Sequence, residues 1–378
     1  MTSKLSSLCA YAKGKIAVES LSAKNYISTE NMVPNKGGIV EASSLPAIQY
    51  VQQYLKGDIL VSNIRPYFKK IWMAEYDGGC SNDVLVFRTN GGCDPTFLYY
   101  VLANDAFFEY ATATAKGTKM PRGDKMAIMQ YDVPCFDVDT QRQVGAVLRS
   151  LDDRIAVNKK INDNLEQQAQ VIFKHHFLDV QKLPEGWEQR NLLHIADYLN
   201  GLAMQKYRPS DGEPELPVLK IKELRQGSCD SGSELCSASI RPEYIVHDGD
   251  VIFSWSGSLL VDFWCGGTCG LNQHLFKVTS THYDKWFYYL WTAHHLNRFV
   301  AIAADKATTM GHIKREELAK AEVLIPSSND YAKISVLIEP IINCIISNRI
   351  ENKKLVAVRD MLLPKLTSGE IDVSDIYL

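Results

Sequence analysis

Two stretches of the sequence set cations and amides among turn residues in patterns suited to a nucleic acid. SNIRPYFKK (62–70) carries Asn63, Arg65, Lys69 and Lys70 interleaved with Tyr67 and Phe68. AKGTKMPRGDK (115–125) sets Lys116, Thr118, Lys119, Arg122 and Lys125 around Gly117, Pro121 and Gly123. An Arg fork can grip a guanine edge with two hydrogen bonds and an Asn amide can do the same for adenine, whereas Lys mainly meets phosphates. A basic, turn-rich loop is suited to lie along a phosphate backbone. Each stretch alone reads equally well as a solvated surface loop. Repetition favours the binding reading, because DKATTMGHIKR (305–315) offers Lys306, Thr308, Thr309, His312 and Lys314 at the matching place in the second half. SWSG (254–257) stands where SNIR stands in the first half. Ser254 and Trp255 would therefore change what is read, with a core role for Trp255 as the alternative.

No residue pattern supports catalysis. The chain lacks a G-x-x-x-x-G-K-[ST] phosphate loop, a G-x-S-x-G elbow, an H-E-x-x-H helix and any Pro-Pro dipeptide of an amino-methyltransferase motif. CGGTCG (265–270) is Gly-rich without the strand–turn–helix setting of a dinucleotide site. Cys265 and Cys269 stand four apart, but no second ligand pair follows at zinc spacing; His282, His294 and His295 are the nearest candidates. The nine Cys are expected as free, small buried hydrophobes, and no metal site is expected. The opening MTSKLSSLCA has no sustained apolar run, and WFYYLWTAHHLN (286–297) is too short to span a bilayer. A cytoplasmic protein is the expectation. Net charge is −3, so any contact with DNA must come from local clusters.

The elements that would position these loops come as a duplication. GDILVSNIRP at 57 answers to GDVIFSWSGS at 249, and FLYYVLANDAFFEYAT at 97 to WFYYLWTAHHLNRFVA at 286. AKGTKMPRGD at 115 answers to DKATTMGHIK at 305, and Pro134 to Pro326. The Gly-Asp segments and DVLVFRT (83–89) and LFKVTS (275–280) read as strands, and the YYVLANDAFFEYAT stretch as one amphipathic helix. The expected fold class is α+β: mixed globular units at 1–139 and 181–328, a helical segment at 140–180, and a second helix with tail at 329–378.

Those two segments share a stripe. Val144, Leu148, Leu151, Ile155, Asn158, Asn162, Leu165, Ala169 and Ile172 step by four and three, as do Ile334, Ile338, Ile341, Ile345, Asn348, Asn352, Leu355, Arg359 and Leu362, at a constant shift of 190. A mean period of 3.5 is that of a coiled-coil seam. Asn at equivalent places can fix register and partner at some cost in stability. An antiparallel pair would bring Asn158 and Asn162 to Asn348 and Asn352. Pro340 would bend or restart the second helix.

NYISTENMVPNKGG (25–38), GDILVSNIRPYFKKIWMAEYDGGCSNDVLVFR (57–88), GTKMPRGDKMAIMQY (117–131) and MLLPKLTSGEIDV (361–373) resemble the specificity subunit of type I restriction–modification enzymes. The resemblance covers nearly the whole chain. It implies that each globular unit is a target recognition domain reading one half of a split DNA site. It also implies that the helices are spacers binding two methyltransferase subunits, joined by restriction subunits with motor and nuclease functions. S-adenosylmethionine, ATP and magnesium would be held by those partners, and this chain would need no cofactor. Two rivals remain: a fused methyltransferase, which the missing motifs disfavour, and a specificity-like scaffold or antirestriction decoy that occupies the partners without reading DNA.

Overall fold

The computed structural model describes residues 2–305 and 313–373. The chain forms two compact units, Met1–Asp153 with Val356–Leu378, and Arg154–Leu355. The boundary passes through both long helices, so neither helix is a domain of its own. Each unit absorbs the helical stretches next to it into its own core.

The duplication is visible in the sheets. In the first unit an antiparallel sheet runs Cys9–Tyr11, Val84–Thr89, Ile59–Ser62, Ile71–Met73; in the second it runs Asp197–Asn200, Leu275–Thr279, Val251–Ser254, Leu260–Phe263. Strands Ile59–Ser62 and Val251–Ser254 are buried along their whole length, as continuous apolar runs require. A two-stranded ribbon accompanies each sheet, Thr2–Lys4 with Asp132–Pro134 and Glu188–Asn191 with Glu322–Ile325. The second sheets differ. Both contain a parallel pair, at Tyr26 with Gly79 and at Val218 with Gly270. The outermost strand then lies beyond the antiparallel neighbour in the first unit (Lys15–Ala17) and beyond the parallel one in the second (Leu235–Ser237).

The repeated Gly-Asp has a mechanical reason. Gly57 and Gly249 turn the chain at φ 88° and 86°, a left-handed conformation that favours glycine. The following Asp then accepts a backbone N–H three residues back, Leu55 N–H to Asp58 at 2.7 Å and His247 N–H to Asp250 at 2.8 Å. Each Asp also takes a cation from the adjoining strand, Arg88 at 2.6 Å and Lys277 at 2.8 Å. A buried carboxylate is tolerable because both donors are in place.

The expected single helix after the strands is continuous only in the second unit, as Lys285–Asp305. In the first unit it is two helices, Pro95–Ala103 and Asp105–Ala113. Asn104 breaks it: its backbone is extended, its side-chain oxygen caps Ala106 N–H at 3.1 Å, and its amide donates to Thr367 at 3.0 Å. Asn-Asp in mid-run offers the backbone a cap in place of a helical bond.

The central helix spans Val138–Phe173 and ends in a wide π turn at Lys174–Leu178; the C-terminal helix spans Ser328–Ser368. In the first unit, Val144 and Leu148 share a core with Leu363 and Leu366. In the second, Ala169, Phe173 and Phe177 share one with Ile334, Ile338, Ile342, Ile345 and Ile346. Pro340 does not interrupt the C-terminal helix. It sits on the exposed face, and the carbonyl it deprives of a partner belongs to Val336, itself 74% exposed, so water can satisfy it.

The helices pair antiparallel within the second unit. Asn158 Nδ2 donates to Asn352 Oδ1 at 2.9 Å and to Glu351 at 2.8 Å. Asn348 Nδ2 donates to Asn162 Oδ1 at 2.9 Å. Asn162 and Asn352 also reach main-chain carbonyls of the facing helix, Ile345 and Ile155, at 3.2 and 3.4 Å. Leu165 and Ile341 pack half-buried against the core beside them, Ile155 is buried, and Leu151 and Leu355 are half-buried on the stripe.

Candidate nucleic-acid interface

In the first unit the two basic stretches come together. Residues 116–122 form a small hairpin closed by reciprocal bonds of 2.9 Å between Lys116 and Arg122. It sits on the turn that follows strand Ile59–Ser62: Gly123 N–H donates to Asn63 O at 3.1 Å and Arg65 N–H to Pro121 O at 2.8 Å. Gly123 packs closely here: a Cβ would stand 2.8 Å from Asn63 Oδ1 and 2.9 Å from Ile128 Cδ1, so those side chains would have to shift to admit one. Two carboxylates hold the hairpin's ends. Arg122 pairs with Asp83 at 3.1 Å and Lys116 with Asp124 at 2.6 Å. The Lys116 ammonium, helped by the backbone N–H groups of Ala127 and Met126, holds Asp124 below the ordinary carboxylate range.

The individual residues separate by role. Thr118, Lys119 and Lys125 are exposed, and Arg122 and Lys116 remain open to solvent beside their carboxylates. Arg65 is half-buried at φ 50°, a left-handed conformation uncommon outside glycine and asparagine. Its Nη2 reaches Lys119 O at 3.5 Å, and its buried Nε has no partner among the described residues. Lys69, also left-handed at φ 51°, is tied to Asp105 at 2.8 Å, and so is Lys36. Burial raises the Asp105 pKa, but the bonds from the two lysines outweigh it and hold the group below its ordinary 3.8.

Asn63 does not face outward. It is 6% exposed, and its backbone, not its amide, serves the site by holding Gly123. Its place among cations and turn residues made it a base-reading candidate, but the hairpin covers it. Ser254 is corrected in the same way. It is fully buried and donates to Ser256 O at 3.2 Å, just as Ser62 donates to Ile64 O at 3.1 Å in the first unit. Both serines shape the turn after the strand. Trp255 is half-buried, tilted against Phe276 and His274, with its indole N–H on Asn200 at 2.9 Å. The core reading fits it better than a base contact.

The second unit keeps the same seat. Ile313 N–H donates to Trp255 O at 3.1 Å, where Gly123 donates to Asn63 in the first. Lys314 is exposed at the start of the short helix Arg315–Ala319. Lys306, Thr308, Thr309 and His312 lie outside the described residues. The carboxylates Asp83, Asp105 and Asp124 escaped sequence reasoning, since nothing in their spacing links them to lysines and arginines up to 69 residues away.

All nine cysteines are free thiols, and Cys265 and Cys269 are buried. Among the described residues no group of His, Cys, Asp and Glu could hold a metal, and no helix is long and apolar enough to cross a membrane.

Residues 184–357 match the model of the type I restriction modification DNA specificity domain. The chain is 25% identical over 305 residues to the MjaIX specificity subunit of Methanocaldococcus jannaschii, covering 74% of this chain and 70% of that one. It is 20% identical over 432 aligned positions to the HindI specificity subunit of Haemophilus influenzae, covering 92% and 94%. The crystal structure of a type I restriction–modification S subunit from M. genitalium superposes with a TM-score of 0.61 at 15% identity, over 97% of this chain and 96% of that one, and so shares the fold. Residues 184–357 thus match the type I restriction modification DNA specificity domain, and over most of its length the chain is similar to type I restriction enzyme specificity subunits.

Proposed function

We propose that this chain is the DNA-recognition subunit of a type I restriction–modification complex, each globular unit reading one half of a bipartite target. The observation that carries this is the basic hairpin 116–122 docked on the 63–70 turn, with its backbone seat repeated at Ile313 and Trp255. In the first unit Arg65 is the base-reading candidate, and Lys119, Lys125 and Arg122 are the phosphate contacts. The paired helices bind two methyltransferase subunits, and restriction subunits join them. The chain itself is non-catalytic and needs no cofactor; S-adenosylmethionine, ATP and magnesium belong to the partners. The complex works in the cytoplasm.

The test is to reconstitute the chain with its methyltransferase subunits and map methylated adenines on genomic DNA. One asymmetric, two-part sequence shared by the modified sites is expected. Assembly without any shared sequence would overturn the reading and assign the decoy role instead.

A further inference from the structure

The hairpin carries one residue that neither folding nor phosphate binding explains. Met120 stands at its tip, 47% exposed, between Lys119 and Pro121. An exposed methionine forfeits the burial that makes the residue useful in a core. Yet the second copy of the loop has the same residue at the same place. Aligned at a shift of 190, a shift that the Gly123 and Ile313 backbone bonds bear out, the two ten-residue loops share only Lys116 with Lys306, Thr118 with Thr308, and Met120 with Met310. Two of those are types that meet phosphates. The third is apolar.

The mount is rigid. The hairpin is closed by two backbone bonds, seated on Asn63 and Arg65 by two more, and clamped by Asp83 and Asp124 at its ends. Lys119 and Arg122 flank the tip, so the methionine would be carried to a duplex by its neighbours' charge. Proteins that kink DNA use this combination: an apolar side chain on a stiff support, pressed between base pairs while cations grip the flanking phosphates.

We propose that Met120 is a wedge that enters between two base pairs of the half-site read by the first unit and opens that step. The inference rests on the DNA-recognition role above and adds how part of the target is read. Specificity would come partly from the cost of unstacking, which is lowest at flexible pyrimidine–purine steps, at a position where no hydrogen bond is made.

The experiment uses the complex reconstituted with its methyltransferase subunits and a duplex bearing the mapped target, with 2-aminopurine placed at successive adenines of the first half-site. Wild type should raise the fluorescence severalfold at one step. Met120→Ala and Met120→Gln should abolish that rise and weaken specific binding about tenfold, while Met120→Leu retains both. The salt dependence of binding should be unchanged in all three, because a neutral side chain displaces no counterions; Lys119→Ala should instead shallow it. Fluorescence and affinity in Met120→Ala within twofold of wild type would sink the wedge. So would an Ala variant whose defect lies in assembly with the methyltransferase subunits, which would make Met120 a protein contact. If wild type modifies no specific sequence, the recognition role fails and the wedge with it; if wild type is specific and Met120→Ala equals it, only the wedge fails.

Discussion

Asn158 on the central helix donates to Asn352 on the C-terminal helix at 2.9 Å, and a shift of 190 converts this pair into its neighbour, Asn348 donating to Asn162 at 2.9 Å. The backbone bonds obey the same exchange, Asn162 to Ile345 O and Asn352 to Ile155 O. Two copies of one helix have thus met in an antiparallel, two-fold arrangement. Two amide–amide bonds cross the seam, and the other amide donors go to Glu351 and to main-chain carbonyls of the facing helix.

That arrangement predicts unequal effects of single and paired substitution. Asn158→Ala leaves Asn352 Oδ1 without its donor, while Glu351 keeps Arg154 at 3.2 Å, and should cost about 1–3 kcal/mol in denaturant unfolding. Replacing Asn158, Asn162, Asn348 and Asn352 together by Leu should recover that loss or exceed wild-type stability, since no buried polar group is stranded. The gain should come with relaxed register, read as a disulfide between cysteines placed across the seam one turn out of phase. A quadruple variant that stays in one register would remove the amides from that role.

Each unit has its own anchor to the helices. Arg349 pairs with Asp262 at 2.6 Å and Glu166 at 2.7 Å in the second unit. In the first, Asp152 takes Arg359 at 2.8 Å and the Tyr100 hydroxyl at 2.7 Å. Breaking a partly exposed network of this kind should cost about 2 kcal/mol, toward the low end for a stranded charge. Hydrogen exchange should show Arg349→Ala loosening Leu260–Phe263 and Arg359→Ala loosening Pro95–Ala103, each without effect in the other unit.

Asp105 predicts an acid-sensitive loop. Its carboxylate draws in Lys36 and Lys69, beside backbone bonds of 2.8 Å from Asn35 to Phe68 and from Lys36 to Lys69. Its folded pKa lies below its ordinary 3.8, so the stabilisation is full above that value and is lost as pH falls through the lowered one. Exchange at the Asn35 and Lys36 amides should therefore accelerate only below about pH 4, and Asp105→Asn should show the fast behaviour at neutral pH. The same variant frees two ammonium groups, and the salt slope of non-specific DNA binding should steepen by about one to two.

How much of this was legible beforehand follows from the range of each signal. The heptad stripe is local and periodic, so the helices and their facing asparagines could be read directly. The duplication was legible because strands and turns repeat at one spacing. The helix break at Asn104 was not, since an amphipathic run and a cap overlap there and a distant Thr367 favours the cap. Nor were the buried states of Asn63 and Ser254. Exposure at a strand end depends on what folds over it, and the hairpin that covers Asn63 lies about 60 residues away. The same long-range packing means that four residues inserted after Ala169 would do more than lengthen the central helix. Phe173 and Phe177 are core residues of the second unit and would be displaced.

The last prediction separates three neighbours that composition alone treats alike. Arg65→Ala removes a guanidinium held beside the hairpin tip, and if it reads a guanine edge the loss should be about 1–3 kcal/mol of discrimination at one base pair of one half-site. Lys119→Ala removes an exposed ammonium, so all sequences should bind more weakly alike and the salt slope should fall by about one. Asn63→Ala touches neither base nor phosphate. Its side chain is buried under Gly123, so the effect should appear as about 1 kcal/mol or more of lost stability, or as a hairpin with faster hydrogen exchange, with base preference intact. Competition against single-base variants at two salt concentrations distinguishes the three. An Asn63→Ala complex that remains fully stable yet changes its preferred base would restore Asn63 to the reading surface, and would mean that the hairpin lifts away when DNA binds.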